Sequence, residues 1–135
     1  MPQEYSVGII VYHGDEFLLM KYKAGHWGFT KGKPYTGEPR VDAARREVLE
    51  ETGLSAIYLV KDFCEHHEYF FRREGKIVHK AVDYFLGEVQ EKEVTLSEEH
   101  VDYIWLPFQE AMTQLTFPQT RDLLKKANDH ITLHG

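Results

Sequence analysis

The 135-residue chain has a single cysteine, Cys64, and no apolar run longer than a few residues. One cysteine excludes an intramolecular disulfide and a multi-cysteine zinc site. The apolar runs fall far short of the roughly 20 residues that a bilayer-spanning helix needs, so no membrane association is expected. Basic residues are also scarce, 16 against 22 acidic ones, for a net charge of −6. That deficit argues against a broad grip on nucleic-acid backbone, which calls for a basic face, and no stable nucleic-acid partner is expected. No basic-then-apolar leader precedes Ser6, so a reducing cytoplasm is the expected compartment. Repeats, low-complexity stretches and interdomain linkers are missing too, which leaves residues 1–135 as one expected domain. Apolar residues make up 42% of the chain and aromatics 13%, enough for a core without covalent staples.

The pattern along the chain predicts an α+β fold. Ser6–Tyr12 and Glu16–Tyr22 read as strands joined by a turn at His13-Gly14-Asp15. Trp27–Phe29 reads as a short strand running into a loop over Thr30–Glu38. A helix is expected from about Pro39 to Thr52, with Pro39 in its first turn, Gly53 as its left-handed cap, and Val41, Ala44, Val48 and Leu49 as its apolar stripe. Strands resume at Ala56–Phe63 and Glu68–Arg72, with a polar hairpin tip over Arg72–Lys76. Ile77–Val89 is apolar on both alternating faces, the mark of a central strand covered on both sides. After a loop over Gln90–His100, a strand at Tyr103–Leu106, a short helix at Pro107–Leu115 and a last helix opened by Pro118 complete a mixed sheet with helices packed on it.

The chemistry concentrates in Gly32–Leu54. Glu47 and Glu51 stand four residues apart on one helical face, and Glu50 lies on its edge. Like charges at this spacing oppose the helix; Arg46 offsets them by reaching Glu50 at i+4. Crowded carboxylates suit a hard divalent cation such as Mg2+ or Mn2+, but they also suit a merely solvated face. The loop decides between the two. Lys31-Gly32-Lys33 puts two ammonium groups around a glycine whose backbone can come close to a ligand and whose carbonyl can ligate a metal. An acidic protein can thus hold a polyphosphate through a bridging cation and a few local lysines.

These residues match the Nudix box: Gly32, Glu38, Arg46, Glu47, Val48, Glu50, Glu51, Gly53 and Leu54 occupy nine constrained positions over 23 residues. The chain therefore resembles Nudix hydrolases. The resemblance implies an α/β/α sandwich with a mixed sheet and Mg2+- or Mn2+-dependent hydrolysis of nucleoside diphosphates linked to another group. It further implies Glu47 and Glu51 as principal metal ligands, Glu50 as ligand or general base, Gly32 as a carbonyl ligand and Arg46 as the residue orienting the glutamates. Leu96-Ser97-Glu98-Glu99-His100 and its continuation to Tyr103-Ile104-Trp105-Leu106 resemble asymmetrical diadenosine tetraphosphate hydrolases. So do His26-Trp27 before Lys31-Gly32-Lys33 and the Lys80–Leu86 strand. Thr30, where many members carry proline, departs from that pattern, as does the longer hairpin at Arg72–Lys76.

Diadenosine tetraphosphate, split to ATP and AMP, is accordingly the expected substrate. Nucleoside triphosphates, ADP-ribose, RNA 5′ ends or a non-catalytic nucleotide sensor are the alternatives. Stacking of a base on an aromatic ring contributes about 1–3 kcal/mol, and Tyr69, Phe71, Tyr84 and Phe117 are candidate platforms, with Tyr69 and Phe117 favoured among the four, although core packing competes for each. Lys31, Lys33 and Lys80 are the expected phosphate contacts. Glu99 is a further expected metal ligand, with Glu98 as fallback. Glu50 is the favoured general base, ahead of Glu47. His66-His67 are read as strand surface and Cys64 as a small packed apolar group. The oligomeric state stays open.

Overall fold

The computed structural model describes residues 1–134. Eight strands form one sheet: β1 (Glu4–His13), β2 (Glu16–Tyr22), β3 (Trp27–Gly28), β4 (Thr30–Gly32), β5 (Ile57–Leu59), β6 (Glu65–Arg73), β7 (Lys76–Val89) and β8 (His100–Pro107). Three helices, α1 (Arg40–Thr52), α2 (Phe108–Gln114) and α3 (Pro118–His134), accompany them. The main path runs β3-β2-β1-β7-β5, with β4 on β1, β6 on β7 and β8 on β2. Only the β1–β7 pairing is parallel among the described residues, running from Glu4 opposite Lys80 to Tyr12 opposite Glu88.

Both central strands are apolar on both faces because both faces are covered. Val7, Ile9 and Val11 of β1 pack with Ala43, Ala44 and Val48 of α1. Ile10 and Tyr12, with Val82, Tyr84 and Leu86 of β7, pack instead with Ala111, Leu115, Leu123, Leu124 and Ala127 from the α2–α3 side. The result is the expected α/β/α layering, with β7 central. No helix of the described residues is long and apolar enough to cross a membrane.

Several boundaries differ from the sequence expectation. Thr30–Gly32, expected as loop, is the separate strand β4, paired with β1 at Ile9, Gly8 and Val7. Edge pairing makes few apolar demands, so its polar sequence concealed it. Pro39 lies just outside α1 as its N-cap, at φ −60° and ψ 144°. Gly53 does cap the other end, at φ 79°, and returns its N–H to the Leu49 carbonyl. The buried face of α1 is Ala43, Ala44, Val48, Glu51 and Thr52, while Val41 and Leu49 are exposed. Small residues let the helix lie close to the sheet, and the two larger apolar side chains point elsewhere.

The strand expected over 56–63 stops at Leu59, before a turn in which Asp62 takes φ 65°. β6 begins earlier than expected, and its tip narrows to Glu74-Gly75, both at positive φ as a tight hairpin requires. β8 is longer than expected, and α2 lies inside flanking Pro107 and Leu115. Cys64 is exposed rather than packed.

Candidate active site

α1 carries Glu47, Glu50 and Glu51 into three different environments. Their side chains are 14%, 49% and 3% exposed respectively. Helical spacing explains the gradient, because Glu51 turns inward with Val48 and Thr52 while Glu50 stays at the rim. Gly32 lets β4 lie directly against Glu47: a Cβ at position 32 would collide with the Glu47 carboxylate. With no Cβ at position 32, the Glu47 carboxylate rests against β4; any other residue there would push it aside.

Arg46 gathers the acids. Its Nε and Nη2 donate to the two oxygens of Glu38, both at 2.9 Å. Its Nη1 donates to Glu47 at 2.8 Å and to Glu50 at 2.7 Å, and Nη2 also reaches the Lys33 carbonyl at 3.0 Å. Tyr35 stacks on the guanidinium at 3.8 Å. Fork geometry makes this an arginine function, since a lysine offers no planar pair of donors. Glu38, ahead of the other carboxylates, holds the guanidinium pKa above its usual value.

Glu51 has the opposite environment. Neither of its oxygens has a hydrogen-bond partner, and neither does the facing His100 Nε2, 3.4 Å from Oε1. Burial, then the adjacent Glu47 carboxylate, pushes the Glu51 pKa well above the carboxylate range. His100 is fixed from behind. Ser97 Oγ lies 3.2 Å from its Nδ1 and accepts from the Glu99 N–H at 3.3 Å. The Ser97 hydroxyl and His100 Nδ1 share one hydrogen bond, which fixes the orientation of the ring. The Ser97–His100 turn thus joins the Glu99 loop to the far end of α1.

Lysines share the cleft with these acids. Lys31 Nζ donates to the Tyr69 hydroxyl at 3.0 Å; burial lowers its pKa while Glu51 opposes the shift. Lys80 is likewise lowered by burial, then by Lys31. Lys31, Gly32, Lys33, Arg46, Glu47, Glu50, Lys80 and Glu99 line one cleft of about 500 Å³. Glu51 is buried and does not itself line the cleft. Glu99 rather than Glu98 belongs to the lining.

Tyr69 touches the cleft through Lys31, whereas Phe117 stands apart from the lining, 48% exposed and 5.3 Å from the His26 ring. Tyr84 is buried in the core and offers no free face. Sequence reasoning overlooked Ser6, Tyr22 and Tyr35, which also line the cleft, and His100 behind Glu51. The last was marked only by its place in the Leu96–His100 stretch; a lone tyrosine in a loop carries no signal. A second hollow, about 340 Å³ between β6 and α3, contains none of these carboxylates. Its lysine, Lys126, is already paired with Glu65 and Asp122 at 3.3 Å.

Among the described residues, no three His, Cys, Asp or Glu side chains already converge on one point. Arg46 draws Glu47 and Glu50 toward itself, and Glu51 has no contact with it. The donor set nevertheless fits a hard divalent cation, for a partnerless buried carboxylate is costly unless it is protonated or meets positive charge.

Known proteins bear on this arrangement. The NUDIX domain family model matches residues 2–127. The asymmetrical bis(5'-nucleosyl)-tetraphosphatase of Mus musculus is 33% identical over 122 residues, 86% of this chain and 80% of that protein. Its Caenorhabditis elegans namesake is 30% identical over 129 residues, 90% of this chain and 91% of that one. A crystal structure titled as a C. elegans Ap4A hydrolase binary complex shares the fold at a TM-score of 0.83, with 27% identity over 96% of this chain and 98% of that one. Since both the family model and these relatives span nearly the whole fold that builds the cleft, the chain belongs to the Nudix hydrolase family.

Proposed function

We propose that this Nudix pyrophosphohydrolase cleaves dinucleoside polyphosphates, with diadenosine tetraphosphate hydrolysed to ATP and AMP, and that it uses Mg2+ or Mn2+. One observation carries the reading. The buried, partnerless carboxylate of Glu51 lies beside Glu47 at a cleft that Lys31, Lys33 and Lys80 also line. Such a cleft suits a ligand that is itself anionic and brings cations with it.

Glu47, Glu50, Glu51, Glu99 and the Gly32 carbonyl are the groups that would hold the ions. A divalent cation, when bound, supplies Lewis acidity and neutralises phosphate charge. Glu50, half exposed at the rim, takes the proton from the water that attacks phosphorus, with Glu47 as second candidate. Arg46 is a positioning residue that keeps both carboxylates aimed from one guanidinium. As the bridging P–O bond breaks, Lys31, Lys33 and Lys80 stabilise charge on the bridging and leaving phosphate oxygens. Tyr69, hydrogen-bonded to Lys31, and Phe117, free at the surface beside His26, are the stacking candidates for the bases.

The test is chromatographic analysis of products from diadenosine tetraphosphate with Mg2+. Equal amounts of ATP and AMP are expected, with turnover lost in EDTA. Two equivalents of ADP, or faster turnover of nucleoside triphosphates, ADP-ribose or 5′-triphosphorylated RNA, would overturn the assignment.

A further inference from the structure

Lys33 and Lys80 have an acidic neighbour outside the cleft lining. Both lysines reach Glu4 at the start of β1, with Nζ–O distances of 3.8 Å and 4.0 Å. The Glu4 side chain is 11% exposed and accepts from Arg73, whose second nitrogen lies 3.4 Å away. Arg73 comes from the end of β6, just before the hairpin tip, and its guanidinium lies over Phe71 at 5.0 Å. Tyr69, Phe71 and Arg73 alternate along one face of β6, and the Tyr69 and Phe71 rings are 6.1 Å apart. A continuous track of rings and cations therefore leads from Lys31 to Arg73.

Within this cluster three cations share one carboxylate, although the chain as a whole is acidic by −6. Neither lysine is satisfied by Glu4. Charge-assisted N–H···O bonds run about 2.7–2.9 Å, so contacts of 3.8 Å and 4.0 Å leave the ammonium donors free for another anion. Glu4 is thus a weak counter-ion for both lysines, with less charge and fewer acceptor oxygens than a phosphate offers.

We infer that Lys33, Lys80 and Arg73 form a distal polyphosphate subsite, and that Glu4, as its built-in competitor, tunes how many phosphates the cleft accepts. The inference rests on the reading above, in which the carboxylate end holds the cleaved bond. A two-phosphate bridge ends near Lys31. A four-phosphate bridge runs on to the lysines that face Glu4 and displaces its carboxylate from them.

Calorimetric titration with inorganic pyrophosphate and with linear tetraphosphate, both in EDTA, reads the subsite without turnover. Glu4→Gln keeps an acceptor for Arg73 and removes the charge. It should tighten tetraphosphate by roughly two- to five-fold, the range of a partly exposed charge pair, and pyrophosphate by less. Arg73→Gln should weaken tetraphosphate by a similar factor and pyrophosphate by less. Circular dichroism checks that both variants fold. A shift of the same factor for both anions, or of neither, overturns the subsite.

The two readings fail separately. If dinucleoside polyphosphates are not hydrolysed but the tetraphosphate-to-pyrophosphate ratio moves as stated, the subsite stands and the substrate assignment falls. Hydrolysis to ATP and AMP with an unmoved ratio does the reverse.

Discussion

The acidic and the basic residues of the site each have one neighbour of the opposite charge, and the two groups treat it differently. Beside the acids, Arg46 is 19% exposed and donates to Glu47 and Glu50 at 2.7–2.8 Å. Beside the lysines, Glu4 is close to Lys33 and Lys80 yet no nearer than 3.8 Å to either. One counter-charge is a fixture that sets where carboxylates point; the other leaves its lysines with unused donors. The acids are held in place before any ligand arrives, whereas Lys33 and Lys80 keep donors available for a phosphate chain.

The sharpest way to break this contrast is Glu51→Gln. It removes a charge that Arg46 does not hold, and kcat should fall by about 100-fold or more, as expected when several kcal/mol of cation-dependent stabilisation are lost. Stability should move the other way. Glu51 has its folded pKa raised from 4.5, so its stabilising effect is complete below about pH 4.5 and is lost as pH rises toward the folded value. In EDTA near neutral pH, Glu51→Gln should therefore melt no lower than the wild type. A melting temperature several degrees lower would show that the carboxylate has a partner the geometry does not provide.

Gly32→Ala attacks the joint between β4 and Glu47. Its Cβ would displace the Glu47 carboxylate, and loss of ligand geometry of this kind typically costs roughly 10–100-fold in activity or metal affinity. Steady-state turnover and Mn2+ affinity by calorimetry should fall together, with the circular dichroism spectrum unchanged. Arg46→Lys tests whether the fixture is geometric or only electrostatic. Charge is kept but the fork to Glu38 is lost, and kcat/KM should drop by roughly tenfold; wild-type kinetics would show that aiming the acids is unimportant.

The smallest effect lies outside the cleft lining. Arg40, which opens α1, donates to buried Asp83 at 2.8 Å, and Asp83 also meets Tyr5 and His66. The His66 pKa is raised, first by Glu68 and then by Asp83. A histidine raised in the folded state stabilises most below its unfolded pKa near 6.5 and loses that stabilisation as pH rises through the folded value. Urea unfolding of the wild type and His66→Gln should thus differ more at about pH 5.5 than at about pH 8.5. A constant difference would place the contribution of His66 in packing alone.

The acidic group was legible in the sequence and much of the basic group was not. Three glutamates on one helix declare themselves by spacing, because a helix fixes which side chains are neighbours. Even there, the buried face was misjudged. Val41 and Leu49 are the larger apolar residues, but Ala43 and Thr52 fit beneath the helix, and hydropathy cannot show that closeness to the sheet selects small residues. Lys31 and Lys33 were readable through the glycine between them. Glu4 and Arg73 were not, since two charged residues 69 positions apart look like ordinary surface until the sheet brings their strand ends together. The strand β4 escaped for a related reason: it is short, polar and defined by its partner. Layering and the centrality of β7 were readable because a strand apolar on both faces must be covered on both.

The parallel pairing of β1 with β7 has a consequence for how the enzyme comes into being. A first strand whose main neighbour lies half a chain downstream emerges from the ribosome well before that neighbour exists, and such non-local pairings form slowly. In the interval β1 and β2 present an unsatisfied edge of the kind that invites aggregation. Refolding followed by stopped flow should therefore be slowest at the step that joins β1 to β7.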